Sequence, residues 1–399
     1  MQKRFGFGFA TVALALLAAA HSNVSDDLVY HDSITNGIIK RHPAEQLPSA
    51  AHWIPLAPVA TVKLSRNKKD TSWLVTTEVG TPRPKRPQQF FNVIPDTGSP
   101  YFWVTSSGTS RRARKPGHYN PRLSSSWQDL HGTFKASYTA GSVEGGICSD
   151  VVNVGGMKVE MTCGSVTKRS KGVVEDGILG LSLSASPTLS ESHFFHVALK
   201  QYPFFNPVAA FCFGTRDPEL HLGQVKEVYL GEIEYHKVAG KSSISGTTIV
   251  ADIRTIFDTG ARSIFGPPDE VDKIYQKIPN RRRLKEKHGQ MQYIFPCKQK
   301  PQISFRWKNG NPWMILPEQW VTSLALNLME LIQDNSLAIR IPGDDYWCKG
   351  AIVGEVIPYD ENPETLWLVG DIVMWRRYVI FNAKDQLVGL AEAKEGCTH

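Results

Sequence analysis

FFNVIPDTGSPYFWV, residues 90–104, and TTIVADIRTIFDTGARSIFG, residues 247–266, follow one pattern. In each, a run rich in Phe, Val and Ile predicts a strand. Each run ends on the same tripeptide, Asp96-Thr97-Gly98 and Asp258-Thr259-Gly260. Thr-Gly supplies a turn whose backbone can fold close around a carboxylate. A strand-Asp-turn unit repeated 162 residues apart is how a chain brings two carboxylates face to face from two similar halves. Acids held that close cannot both ionise; they share a proton, and one serves as base while the other serves as acid.

The 399 residues are enough for two domains with cores of their own. Residues 1–20 read as a secretory signal: Lys3 and Arg4, an apolar stretch from Phe5 to Ala20, then small residues suited to cleavage. No later segment has the length to span a bilayer, and no apolar tail follows Cys397, so the mature protein is expected to be soluble, without a membrane span, and exported. Six cysteines in an exported chain point to disulfides, and no Cys or His spacing suits a metal, so neither metal nor cofactor is expected. Cys148 and Cys163 lie equidistant from Gly155-Gly156, the centre of a hairpin candidate, and are expected to face each other across the ladder. Cys297 and Cys348 bracket a second segment; Cys212 and Cys397 are left over. The net charge of +7 is gathered at residues 83–86, 111–115 and 281–287. These clusters read as solvated loops rather than anion-binding surfaces, and no nucleic-acid motif accompanies them.

Residues 21–70 are polar and lack sustained periodicity, which marks them as a removable pro-segment, with Lys40-Arg41 and residues 66–69 as processing points. The sequon at Asn23 falls inside it. From Trp73 the chain becomes short apolar runs broken by Gly, Pro and Asn, an all-β pattern with frequent hairpins. Helical spacing is confined to residues 190–201 and 320–332. The theme repeats after residue 225, which predicts an N-terminal lobe over 71–225 and a C-terminal lobe over 226–399, with one acid each.

The ordered set of motifs resembles the pepsin-like aspartic endopeptidases over residues 73–393. Val79-Gly80-Thr81-Pro82 precedes the first acid, Ser99 completes DTGS, and Trp103 follows seven residues after Asp96. Tyr138 stands in ASYTAGSVEGG, where the family carries its flap, and DGILGLS (176–182) and LWLVGD (366–371) resemble its apolar-apolar-Gly elements. The resemblance implies a bilobal all-β fold, two barrel-like lobes around a central cleft. It implies a monomer, secreted or held in a secretory-pathway or vacuolar lumen, that hydrolyses internal bonds of an extended polypeptide. Asp96 and Asp258 would hold the attacking water. Thr97 and Thr259 would bond across the pseudo-twofold axis, and Gly98 and Gly260 would let backbone N–H groups approach the acids. Ser99 would donate to Asp96, Tyr138 would close over substrate, and Trp103 would hold its hydroxyl. Cys297 and Cys348 fall where the family often has a disulfide.

Three positions depart from the family pattern. Pro95 removes a backbone donor beside the first acid. Thr139-Ala140 replaces the glycine-containing flap tip, and Ala261 stands where a hydroxyl is common. The missing hydroxyl implies a less stabilised Asp258 carboxylate and activity reaching less acidic pH. The altered flap and Pro95 also define an alternative: a binding or recognition protein that keeps the fold and has lost catalysis. Both acids and both threonines argue for an enzyme.

Overall fold

The computed structural model describes residues 59–393 apart from 68–71, 108–116, 139–140, 171–172, 174, 184–192, 215–216, 227–229, 237–238, 245–246, 285–288, 297–298, 300, 308–311, 316–346 and 358–364. The protein is an all-β, two-lobed molecule, and both lobes are built on the same local event. In the first lobe, Trp73–Val79 buries Trp73, Val75, Thr77 and Val79 on one face, as its alternation demands. It pairs with Gln89–Asp96 on one side and with Gly141–Val154 on the other. From Gln89–Asp96 the ladder continues through Gly177–Gly180, Phe102–Thr105 and Met157–Arg169 back to Gly141–Val154, which closes six strands into a barrel.

Gly177–Gly180 is the element that organises this lobe. It runs parallel to the strand carrying Asp96 and antiparallel to Phe102–Thr105, threading between the two arms of the acid loop. The second lobe repeats the arrangement: Leu366–Val369 is parallel to Thr247–Phe257 and antiparallel to Ile264–Gly266. Strands covered on both sides are unbroken apolar runs, which explains ILG and LWLV. Each run must end on glycine. A Cβ on Gly180 would stand 2.4 Å from the Tyr101 nitrogen, and one on Gly370 2.5 Å from the carbonyl oxygens of Ala261 and Ser263. The lobes are joined by a six-stranded sheet in which three neighbouring strands of the first half, ending on Val208–Cys212, meet three of the second half, beginning with Arg377–Asn382.

Several expectations change here. Part of the segment assigned to residues 21–70 belongs to the folded body: Ala60–Lys63 pairs with Glu219–Leu222, and Ser65–Arg66 with Trp73 and Leu74. Ala60, Val62 and Leu64 are buried in alternation, a pattern three residues deep and too short to stand out in a polar sequence. The helix expected over 190–201 spans Phe194–Gln201, with His193 as N-cap. The one expected over 320–332 lies outside the described residues, as do residues 1–58 and 111–115. The Gly155-Gly156 hairpin is present, with φ +59° and +94° and Val154 opposite Met157.

Cys148 and Cys163 are directly opposite in register, but they are two buried thiols with sulfurs 3.2 Å apart, not a disulfide. At that separation, beyond the roughly 2.05 Å of a bond, they pack as small apolar side chains. Cys212 and Cys348 are each engaged in a disulfide, and the other two cysteines, Cys297 and Cys397, lie outside the described residues. Arg83, Arg86, Arg281, Arg282 and Arg283 are exposed. Among the described residues there is no metal-ligand cluster and no helix long and apolar enough to cross a membrane.

Candidate active site

Asp96 is the last residue of its strand and is only 5% exposed; Asp258 directly follows Phe257 and is half-buried. Their carboxyl groups face each other across the lobe boundary, each packed against the glycine of the opposite loop. The turns that follow hold them in matching ways. The Gly98 N–H donates to Asp96 Oδ1 at 2.8 Å, and the Gly260 N–H donates to Asp258 Oδ1 at 2.8 Å. Each glycine also faces the opposite acid. A Cβ on Gly98 would lie 2.5 Å from the Asp258 carboxyl carbon, and one on Gly260 2.7 Å from that of Asp96. No side chain fits at either position while the two acids remain in contact.

The threonines fasten the loops across the lobe boundary. Thr97 N–H donates to Thr259 Oγ1 and Thr259 N–H donates to Thr97 Oγ1, both at 3.1 Å. Each hydroxyl donates onward, Thr97 to the Phe257 carbonyl at 2.9 Å and Thr259 to the Pro95 carbonyl at 2.6 Å. All four bonds are buried, where an unmade partner is costly. Pro95 is accommodated because the pairing of its strand with Trp73–Val79 stops at Val93. Its missing N–H takes nothing from that ladder, and its carbonyl is used by Thr259.

Electrostatics separate the two acids. Burial raises both above the ordinary carboxylate range. For Asp96 the rise is opposed by the nearby Asp258, by the Gly98 N–H bond and by the nearby Ser99. For Asp258 the negative charge of Asp96 adds to burial, and the Gly260 and Ala261 N–H groups offset it only partly. Two acids this close share a proton and titrate as a unit.

Tyr138 ends the strand Gln128–Tyr138 and pairs with Gly141 across the hairpin. Thr139 and Ala140 lie outside the described residues. The Tyr138 hydroxyl accepts from Trp103 Nε1 at 2.8 Å. Burial and the nearby Asp96 charge raise the phenol above its usual range. Ser99 Oγ is buried and makes no hydrogen bond of ordinary geometry, although it is close enough to favour the charged forms of Asp96 and Tyr138. The expected direct donation from Ser99 to Asp96 is thus a proximity effect, with the hydroxyl not aimed at an acceptor. Behind the flap, Ile94, Tyr101, Trp103, Phe134, Val173 and Ile178 form a separate apolar cluster.

The acceptors of the threonine hydroxyls, the carbonyls of Pro95 and Phe257, were not identifiable in advance because backbone groups carry no side-chain signature. Paired acids of this kind can activate a water toward a carbonyl carbon. Residues 72–393 match the family described as eukaryotic aspartyl protease, and the chain belongs to that family. It is 30% identical to an aspartic protease of Phaffia rhodozyma, over 76% of this chain and 74% of that protein. It is 26% identical to cathepsin D of Homo sapiens, over 89% and 88%. It is 25% identical to pregnancy-associated glycoprotein 2 of Bos taurus, over 84% and 85%.

Proposed function

We propose that this chain is an active aspartic endopeptidase, exported to the cell exterior or a secretory or vacuolar lumen, and made with a removable N-terminal segment. One observation carries the reading: two acids, one per lobe, held face to face by reciprocal threonine bonds, each against the glycine of the opposite loop. In the proposed reaction Asp96 takes a proton from a water lying between the acids. The water oxygen bonds to the scissile carbonyl carbon as Asp258 delivers its proton to the carbonyl oxygen. When the tetrahedral species collapses, the C–N bond breaks and the proton held by Asp96 passes to the leaving amine. Tyr138 closes over an extended polypeptide and excludes water. The enzyme acts as a monomer and needs no cofactor.

Removal of the N-terminal segment is expected near Lys40-Arg41 rather than at residues 66–69. Arg66 Nη1 pairs with Asp371 Oδ2 at 3.0 Å, and its guanidinium lies over the Trp73 and Trp375 rings. A cut there would detach a strand and withdraw this charge from Asp371, which is 3% exposed.

Incubation of the processed protein with a peptide library tests the proposal. Cleavage at internal bonds, blocked by a statine-type peptide mimic and lost in Asp96→Asn, is the expected result. Absence of cleavage at every pH would support a binding protein that has kept only the fold.

A further inference from the structure

His193 lies far in sequence from both acids and plays no part in the chemistry above, yet its ring is 2% exposed and fully engaged. It is the N-cap of the helix Phe194–Gln201. Nδ1 lies 3.2 Å from the backbone nitrogen of His196, and Nε2 lies 2.8 Å from the carbonyl oxygen of Ser182. A backbone N–H can only donate, so Nδ1 must accept. The one proton of the neutral ring then sits on Nε2 and is donated to Ser182.

Ser182 connects directly to the first acid loop. Its N–H donates to the Ser99 carbonyl at 3.1 Å, and the preceding N–H, of Leu181, donates to the Asp96 carbonyl at 2.7 Å. An unbroken series of hydrogen bonds therefore runs from the helix N-terminus, through the imidazole, to the backbone on both sides of the DTGS turn. We propose that His193 is a positioning residue for Asp96, its neutral Nε2-protonated imidazole bracing the acid loop against the helix. The kinetic part of this proposal rests on the endopeptidase reading; the bracing itself does not.

The arrangement has a built-in acid limit. A second proton would go to Nδ1 and set an N–H against the His196 N–H, which breaks the cap. His196, three residues along the same helix, is the titratable neighbour bearing on the ring, and Ser182 and Phe195 present no titrating group to it. Burial pulls His193 down to about 4. The unfolded chain binds the proton near pH 6.5, so the contribution of His193 to stability is complete above that pH and declines as pH falls from 6.5 toward 4.

Two substitutions separate the two ring contacts: His193→Asn imitates Nδ1, and His193→Gln imitates Nε2. His193→Asn should keep the cap and lose the Ser182 bond. The expected result is a lowered Tm, faster amide exchange at Leu181 and Ser182, and kcat lowered roughly tenfold at constant KM. His193→Gln should keep kcat within about twofold and lower Tm by about 2–4 °C. In the wild-type protein, ring ¹⁵N shifts should report the Nε2-protonated tautomer, neutral down to about pH 4.

An Nδ1-protonated ring, ordinary titration near pH 6.5, or equal losses in the two variants would overturn the proposal. If the wild type cleaves no peptide, the endopeptidase reading fails, while the tautomer, exchange and Tm measurements still decide the role of His193.

Discussion

Ala261 gives Asp258 a backbone donor at 3.2 Å and no hydroxyl, so one means of stabilising the Asp258 anion is missing. Restoring it in Ala261→Thr should lower the Asp258 pKa and bring the upper limb of the pH–kcat profile to more acidic pH; an unmoved limb would count against this role. The same shift bears on stability. Both acids are raised in the fold, so the folded state binds more protons than the unfolded chain above about pH 3.8. Their contribution is therefore present in acid and lost as pH rises. Asp258→Asn should flatten the decline in Tm on the alkaline side, as pH-dependent melting would show. Thr259→Ala removes the donor to the Pro95 carbonyl and the acceptor of the Thr97 N–H. The expected cost is about 1–3 kcal/mol by urea unfolding, with a fall in kcat greater than any change in KM.

The threading strands are the elements that convert local sequence into site geometry. The Leu181 N–H bonds the Asp96 carbonyl, the Asp371 N–H bonds the Ala261 carbonyl at 2.7 Å, and the Asp258 N–H bonds the Val369 carbonyl at 2.9 Å. Because Gly180 abuts the backbone of Pro100 and Tyr101, Gly180→Ala must push the strand away from the acid loop. A loss of about 3 kcal/mol is expected, measured by chemical denaturation, with activity falling further than the loss of folded protein explains. The flap has a different economy. Its strands are secured by the barrel, and Tyr138 is fixed chiefly by Trp103 Nε1. Trp103 was legible as an aromatic seven residues after the acid. Its complete burial, and the tyrosine hydroxyl it reaches, could not be read from that spacing, because the two residues meet only through the sheet.

At the scale of the molecule, the two lobes are held by the shared six-stranded sheet and by Arg66. This arginine comes from the N-terminal arm and reaches a carboxylate 305 residues away in the second lobe. The Asp371 side chain is 4% exposed and that of Arg66 20%, so removing the cation leaves a buried charge. Arg66→Met should cost about 3–5 kcal/mol in a urea titration. Arg66→Lys should recover only part of it, because an ammonium cannot replace a planar guanidinium stacked on two indoles. Equal stability of the lysine variant and the wild type would show that stacking adds nothing.

The sequence by itself determined the all-β class, the two-lobe plan, the pair of acids and the glycines beside them. Those features depend on local periodicity, on turns that tolerate no side chain, and on a motif written twice. Tertiary structure alone decided that the two carboxyls meet in different surroundings, since the burial and the N–H groups around each differ although the two tripeptides are identical. It also decided that residues 60–66 belong to the body, that Ser99 points at no acceptor, and that a histidine on a distant helix braces the first loop. Each of these is set by contact between segments remote in the chain, and a contact of that kind leaves no periodicity behind.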